Sequence, residues 1–141
     1  MSVIGHNTKK DGLTQPWRIG IQNPSDPQKM IAIATISTGL SIVTSGTYQR
    51  YFEWQGKQYS HLIDPNTGKP ANTFSSVTVI HSNPTTADAA ATAILIAGKD
   101  KWQKIAKQMG VSEILLIDQQ GKITNTTQRI KIINQKRSLH K

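Results

Sequence analysis

Apolar and polar residues alternate along the first third of the chain, which is the pattern of strands that bury one face. Residues 17–22 and 29–37 show the alternation most clearly, and the second segment stops at Thr38-Gly39, a pair typical of a turn. Residues 3–6 and 40–44 have the same character. The sequence therefore predicts that strands dominate this part of the molecule.

Two pairs of strand-like segments are separated by short turns and predict β-hairpins. In the first pair, residues 50–54 and 57–61 flank Gln55-Gly56, a two-residue turn that contains glycine. In the second pair, residues 113–118 and 122–124 flank a turn that also ends in glycine. Each pair predicts two adjacent antiparallel strands.

Helical patterns follow a predicted strand at residues 76–81. Residues 83–86 contain capping side chains and a proline suited to a first helical turn. Residues 87–97 are rich in alanine, isoleucine and leucine and are followed by Gly98, a residue that favours helix ends. Residues 99–109 predict a second, amphipathic helix. Its apolar face is expected to contain Trp102, Ile105, Ala106 and Met109.

The order of strands, two helices and further strands predicts an α+β fold. A last strand is predicted at residues 128–133, and the sheet is expected to be mixed or antiparallel, with hairpins packed against the helical pair. We expect residues 1–133 to form a single domain and residues 134–141 to form a basic tail.

Composition supports a folded unit and narrows the chemistry. The chain has 141 residues, of which 36% are hydrophobic, and it has no apolar run of the ~20 residues that a membrane span needs. Residues 1–11 lack the apolar core of a signal peptide. Cysteine is absent, which excludes disulfides, thiolate metal sites and cysteine nucleophiles and leaves the cellular compartment open.

The net charge of +9 is concentrated at one end of the chain. From Lys122 onward there are six basic residues and no acidic residue, so the first 121 residues carry 11 − 8 = +3. Residues 134–141 contain no aromatic side chain that would stack on a base. The distribution favours a solvated terminus, with a basic nucleic-acid-binding domain as an alternative.

Asp88 and Thr92 are the first candidates for chemistry, because a spacing of four residues places them on one face of the predicted helix. Both side chains supply oxygen, and Mg²⁺ binds such ligands together with water and phosphate. In the structural alternative, Asp88 complements the helix dipole and Thr92 bonds to a carbonyl of its own helix. The spacing alone favours the structural alternative.

His61 is the second candidate, since it ends a predicted hairpin just before a dense turn cluster at residues 64–70. A position beside such a reversal is suitable for a catalytic base, although a lone histidine is more often structural. The other histidines have no helical pairing with an acid or another histidine, which argues against zinc. Residues 44–47 offer hydroxyl and N–H groups to an anion or form only a turn.

Four segments taken together, and in this order, resemble the successive motifs of the ApbE family of FAD:protein FMN transferases. They are WRIGIQNP at 17–24, SIVTSGTYQRYF at 41–52, YSHLIDPNTGKP at 59–70 and ADAAATA at 87–93. The resemblance runs from about residue 3 to residue 126.

The resemblance implies a role for each candidate residue. Asp88 and Thr92 would help to hold Mg²⁺, and His61 would be catalytic and face the flavin nucleotide. Ser45, Gly46 and Ile63 would line the FAD site together with His61. One departure from the family is Thr47, which stands where many members have aspartate.

The reaction implied by the resemblance is transfer of FMN from FAD to a threonine of a target protein, with release of AMP. Its partners would be FAD and a flavin-acceptor protein, and no nucleic acid is expected. Family members are roughly twice as long and are often periplasmic or attached to the inner membrane, so the chain resembles their C-terminal half. We expect it to need a separate N-terminal half or to self-associate. The enzymatic alternative is a non-catalytic flavin-binding or assembly module.

Overall fold

The computed structural model describes residues 7–8, 11–48 and 51–133. The strand predicted at residues 3–6 and the tail at 134–141 lie outside this part of the chain. Its backbone forms short strands around two consecutive helices. The elements are β1 (Asn7–Thr8), β2 (Thr14–Gln15), β3 (Trp17–Asn23), β4 (Asp26–Ile36), β5 (Ser41–Gly46), β6 (Tyr51–Trp54), β7 (Lys57–Ser60), β8 (Phe74–His81), α1 (Pro84–Ala97), α2 (Trp102–Gln108), β9 (Glu113–Asp118), β10 (Ile123–Asn125) and β11 (Ile130–Ile132).

The strands are arranged in two main sheets and two separate hairpins. One sheet has four strands in the order β10-β9-β8-β5, and the other has three in the order β11-β4-β3. The pairs β1-β2 and β6-β7 each form a two-stranded sheet. The strand pairings in the described residues are antiparallel, which confirms the predicted α+β class with antiparallel sheets and hairpins.

The two helices cover one face of the four-stranded sheet. Val77 and Val79 alternate along β8 and pack with Ile114 and Leu116 of β9 against the buried side of α1. That side is formed mainly by alanines, isoleucine and leucine, and Ala106 joins it from α2. Small side chains allow a helix to lie close to a sheet, so this alanine-rich segment acts as packing surface.

The other face of the same sheet packs against the three-stranded sheet. Ile80, Leu115 and Ile117 point to this side and form a second core with the alternating residues of β4. Those residues are Ala32, Ala34 and Ile36, each fully buried. The predicted alternation over residues 29–37 is therefore confirmed, and the molecule has three layers: helices, a four-stranded sheet and a three-stranded sheet.

The helix boundaries follow the capping signals more closely than the apolar pattern. Asn83 caps α1 by accepting the N–H of Thr86 at 3.1 Å, and Pro84 begins the helix. The second helix is shorter than predicted because the carbonyl of Gly98 accepts the N–H groups of Lys101 and Trp102, which forms a turn before α2 starts. The predicted apolar face of α2 does pack against the helix-side core. Neither helix is long and apolar enough to cross a membrane.

Both predicted hairpins are present. In β6-β7, Gln55 and Gly56 have φ values of 50° and 75°, the positive pair that a tight two-residue turn of the I′ type requires. In β9-β10, Leu116 lies opposite Thr124 and Ile117 opposite Ile123. The last strand is β11, which pairs with β4 instead of joining the second hairpin.

Candidate functional site

A hydroxyl pair joins β5 to α1 and brings two of the predicted site residues together. Ser45 lies opposite Val77 in the β5-β8 pairing, and Val77 belongs to the core that faces the helices. Ser45 therefore projects toward α1, where its Oγ lies 3.2 Å from Oγ1 of Thr92. Both residues are partly buried. The contact fixes the middle of the helix against the end of the strand.

Asp88 lies one helical turn before Thr92 and is exposed. Its carboxylate has no hydrogen bond or ion pair with another described residue. Because α1 begins at Pro84, Asp88 is its fifth residue and lies beyond the first turn, where a charge interacts most with the helix dipole. The dipole explanation of Asp88 is therefore weaker in the folded chain than in the sequence.

Asp88 and Thr92 are suitable ligands for a hard cation, provided that other groups supply most of its coordination. Asp88 supplies one carboxylate and Thr92 one hydroxyl, which are ligand types suited to Mg²⁺. The described residues contain no cluster of three or more acidic, histidine or cysteine side chains. Any Mg²⁺ held here would therefore take its remaining ligands from water, phosphate or another polypeptide segment.

Gly46, the last residue of β5, is buried beneath the side chain of Tyr48. A Cβ atom at this position would overlap the tyrosine ring and would lie 3.2 Å from the carbonyl oxygen of Ser75. The absence of a side chain thus allows the tyrosine to fold back over the strand end. This is a structural reason for glycine at a position to which the family resemblance gives a flavin-binding role.

His61 and Ile63 lie in the segment that follows β7, and this segment is closed by a short ladder of backbone bonds. The N–H of Ala71 donates to the carbonyl of Leu62 at 2.8 Å, and the N–H of Asp64 donates to that of Lys69 at 2.9 Å. Ile63 pairs with Pro70 between them. The segment therefore leaves and returns as a narrow loop.

The tip of this loop is held by Asp64. Its carboxylate accepts the N–H of Asn66 at 2.9 Å, and its carbonyl accepts the N–H of Gly68 at 2.8 Å. Gly68 has φ +67°, a value that favours glycine. The Asp-Pro-Asn-Thr-Gly part of the motif is thus explained by the shape of the turn, as the sequence predicted.

The residues on either side of Leu62 are displayed to solvent. Leu62 packs against the helix-side core, whereas His61 and Ile63 are exposed, Ile63 by 43%. Leu62 thus anchors the loop to the core that also contains α1. His61 lies on the loop that follows β7, and Ser45 lies on β5. Both segments pack against the same helix-side core.

A cleft lies beside the predicted site residues, and none of these residues lines it. It measures about 650 Å³ and is lined by Pro24, Ser25, Thr47, Tyr48, Lys57, Gln58, Tyr59, Ser60, Lys69, Pro70, Ala71, Asn72, Ser75 and Gln119. His61, which lies just before the reversal at 64–70, does not line this cleft. Lys57, Tyr59 and Lys69 were not predicted to be functional, although two of them lie inside the motif at 59–70.

Comparison with known proteins agrees with the resemblance seen in the sequence. A family model described as the ApbE family matches residues 1–116. The FAD:protein FMN transferase of Rhodobacter capsulatus is 40% identical over 113 residues, covering 80% of this chain and 21% of the relative. The enzyme of the same name from Escherichia coli K12 is 36% identical over 107 residues, covering 75% of this chain and 30% of the relative.

Solved structures give the same result at the level of the fold. A crystal structure of the ApbE protein from Thermotoga maritima superposes with a TM-score of 0.70 at 38% identity, covering 84% of this chain and 38% of that one. The flavin transferase ApbE from Vibrio cholerae gives a TM-score of 0.63 at 33% identity, covering 85% and 38%. The chain therefore spans well under half of the length of these proteins, and within that span it belongs to the ApbE family.

Proposed function

We propose that this chain takes part in the magnesium-dependent transfer of FMN from FAD to a threonine of a target protein, with release of AMP. The observation that carries the proposal is the Ser45–Thr92 contact of 3.2 Å, which holds Thr92 beside the end of β5, with the unpaired carboxylate of Asp88 one helical turn before it. Relatives of 36–40% identity are named FAD:protein FMN transferase.

Asp88 and Thr92 are the proposed magnesium ligands. When bound, Mg²⁺ would offset the negative charge of a pyrophosphate, which is a large part of what phosphoryl-transfer catalysts do. Ser45 orients Thr92 through the shared hydrogen bond. Ser45, Gly46 and Ile63 are the proposed contacts of the FAD molecule.

His61 is the proposed catalytic base. Its imidazole is exposed next to the anchored Leu62, so a second substrate can approach it. In the proposed step the threonine oxygen forms a bond to the FMN phosphorus of FAD while the bond from that phosphorus to the AMP oxygen breaks. His61 accepts the hydroxyl proton, and AMP leaves with the electron pair of the broken bond.

A non-catalytic flavin-binding module is the second candidate. The chain covers 38% of the length of a structural relative, and among the described residues the proposed magnesium site has a single carboxylate, so few magnesium ligands are supplied. Such a module would bind FAD without transferring FMN.

One experiment separates the two candidates. The chain is incubated with FAD, Mg²⁺ and a threonine-bearing acceptor, alone and with the remaining portion of a relative, and the FMN mass increment and AMP are measured. We expect transfer in the second mixture and none with the H61A variant, which should fold normally because the side chain is exposed. FAD binding without AMP release in both mixtures would identify the module instead.

A further inference from the structure

The 650 Å³ cleft adjoins the proposed flavin site at three points. Thr47 follows Gly46 directly, Ser60 precedes His61, and Pro70 is bridged to Ile63. A molecule in the cleft would therefore end next to the residues proposed to hold FAD. A transferase with two substrates needs a binding region for the second substrate next to the site of the first.

The cleft runs along the edge of β7. All four residues of this strand line it, although successive side chains of a strand point to opposite faces. A groove that contacts all of them must follow the edge, where backbone N–H and C=O groups are available. On its other side β7 pairs with β6, and no further strand pairs with it among the described residues. Such an edge is suited to adding an extended peptide.

The charge of the cleft is positive. Lys57 and Lys69 line it, no aspartate or glutamate does, and neither lysine forms an ion pair with a described residue. Four acidic residues lie near lining residues in the chain: Asp26, Glu53, Asp64 and Asp118. Asp26 forms an ion pair with Lys29, and the carboxylates of Asp64 and Asp118 accept backbone N–H groups. None of the four lines the cleft, so the lysines are available to an acidic ligand.

We propose that this cleft binds an extended acidic segment of the flavin-acceptor protein, added as a strand along β7 with its carboxylates near Lys57 and Lys69. The inference rests on the proposed function for the presence of an acceptor. Binding along β7 would bring a hydroxyl of the segment to the end of the strand, where His61 follows Ser60.

Two other occupants fit the observations less well. A second copy of the chain carries 17 basic against 8 acidic residues, so a lysine-lined groove repels it on average. FAD is expected at the residues named above, and none of these lines the cleft.

The test measures binding of a fluorescent acidic peptide with a central threonine to the 141-residue chain, by anisotropy at low salt and without FAD. We expect the K57Q/K69Q variant to bind about tenfold more weakly than the native chain, and an otherwise identical peptide with asparagine for aspartate to lose a similar factor. The matched control is K104Q/K107Q, which removes the same charge from exposed positions on α2 away from the cleft and should change affinity less than about twofold. Methylating alternate backbone nitrogens of the peptide should abolish binding if the strand edge is used.

Four results would overturn the inference: equal losses in both double variants, unchanged binding of the methylated peptide, displacement of the peptide by AMP or FAD, or a monomer–dimer equilibrium that the K57Q/K69Q substitution shifts. Because FMN transfer is not the readout, the two proposals fail separately. Lysine-dependent peptide binding without any transfer in the complemented mixture contradicts only the proposed function. Transfer that is insensitive to K57Q/K69Q contradicts only this inference.

Discussion

At the scale of single residues, Asp88 and Thr92 are held in different ways although one helical turn separates them. The Thr92 hydroxyl is partly buried and bonded to Ser45, whereas the Asp88 carboxylate is exposed and unpaired within the described chain. A charged group with no structural partner can be removed at little cost to folding. Substituting Asp88 should therefore change metal binding with less effect on stability than substituting Thr92.

We predict that D88N lowers the response to Mg²⁺ far more than it lowers stability. The substitution removes a charged ligand, while the free energy of unfolding without metal should change by less than about 0.5 kcal/mol, as for other surface positions. Thermal melting with and without millimolar Mg²⁺ measures both quantities. D100N, an exposed acid in the turn before α2, is the matched control and should respond to Mg²⁺ like the parent. An equal response in D88N and the parent would remove Asp88 from the proposed ligand set.

Gly46 gives a prediction of the opposite kind, in which stability changes through packing. In G46A the new methyl group overlaps the Tyr48 ring and approaches a backbone carbonyl, so we expect a loss of about 1–3 kcal/mol in urea unfolding. G20A is the control, because the three atoms nearest to its methyl group all belong to the side chain of Met30, which is 52% exposed and free to move. Adding Y48A should recover part of the loss. An equal cost for G46A and G20A would show that the tyrosine does not restrict this position.

At the scale of secondary-structure elements, α1 depends on a cap that is separate from the proposed ligands. Asn83 accepts the N–H of Thr86, and its replacement by alanine should cost about 1 kcal/mol. The N83A variant should keep the response to Mg²⁺ that D88N loses, because the cap lies outside the Asp88–Thr92 face. Melting temperatures at several Mg²⁺ concentrations test this contrast. A loss of the metal response in N83A would mean that helix stability alone controls the site.

The same elements show what a sequence can predict. Alternation over β4, the turn at Gln55-Gly56 and the proline after Asn83 are local signals, and each predicted element is present. The start of α2 was misplaced because the carbonyl of Gly98 is used in a turn that apolar spacing does not show. The Ser45–Thr92 contact and the cleft along β7 join segments far apart in the chain, so no local pattern contains them. The resemblance to the ApbE family named the candidate residues, but their arrangement required the fold.

At the scale of the whole molecule, the helices and two sheets form buried cores, yet several large apolar side chains remain exposed. They are Leu13, Trp17, Met30, Phe52, Trp54 and Ile63, which are 39–64% exposed. The rings of Phe52 and Tyr59 stack with centroids 5.5 Å apart on the β6-β7 hairpin, which adds aromatic surface next to Trp54. The exposed aromatic surface on this hairpin is of the kind that contacts another polypeptide.

The last prediction follows from three observations: this exposed surface, the small number of magnesium ligands that the chain supplies, and the fraction of its relatives' length that the chain covers. Two protein oxygens leave about four positions of a Mg²⁺ ion to other groups, and the relatives contain further sequence that can supply them. We therefore expect the 141 residues alone to bind FAD weakly, to transfer negligible FMN and to associate with rising concentration. Adding the remaining portion of a relative should raise FAD affinity, reduce self-association and restore transfer, because the same apolar surface would be covered. Sedimentation velocity and FAD fluorescence titration, each with and without that portion, measure these effects. Robust FMN transfer by a monomeric preparation of the chain alone would contradict the prediction, since the described residues would then complete the site without help.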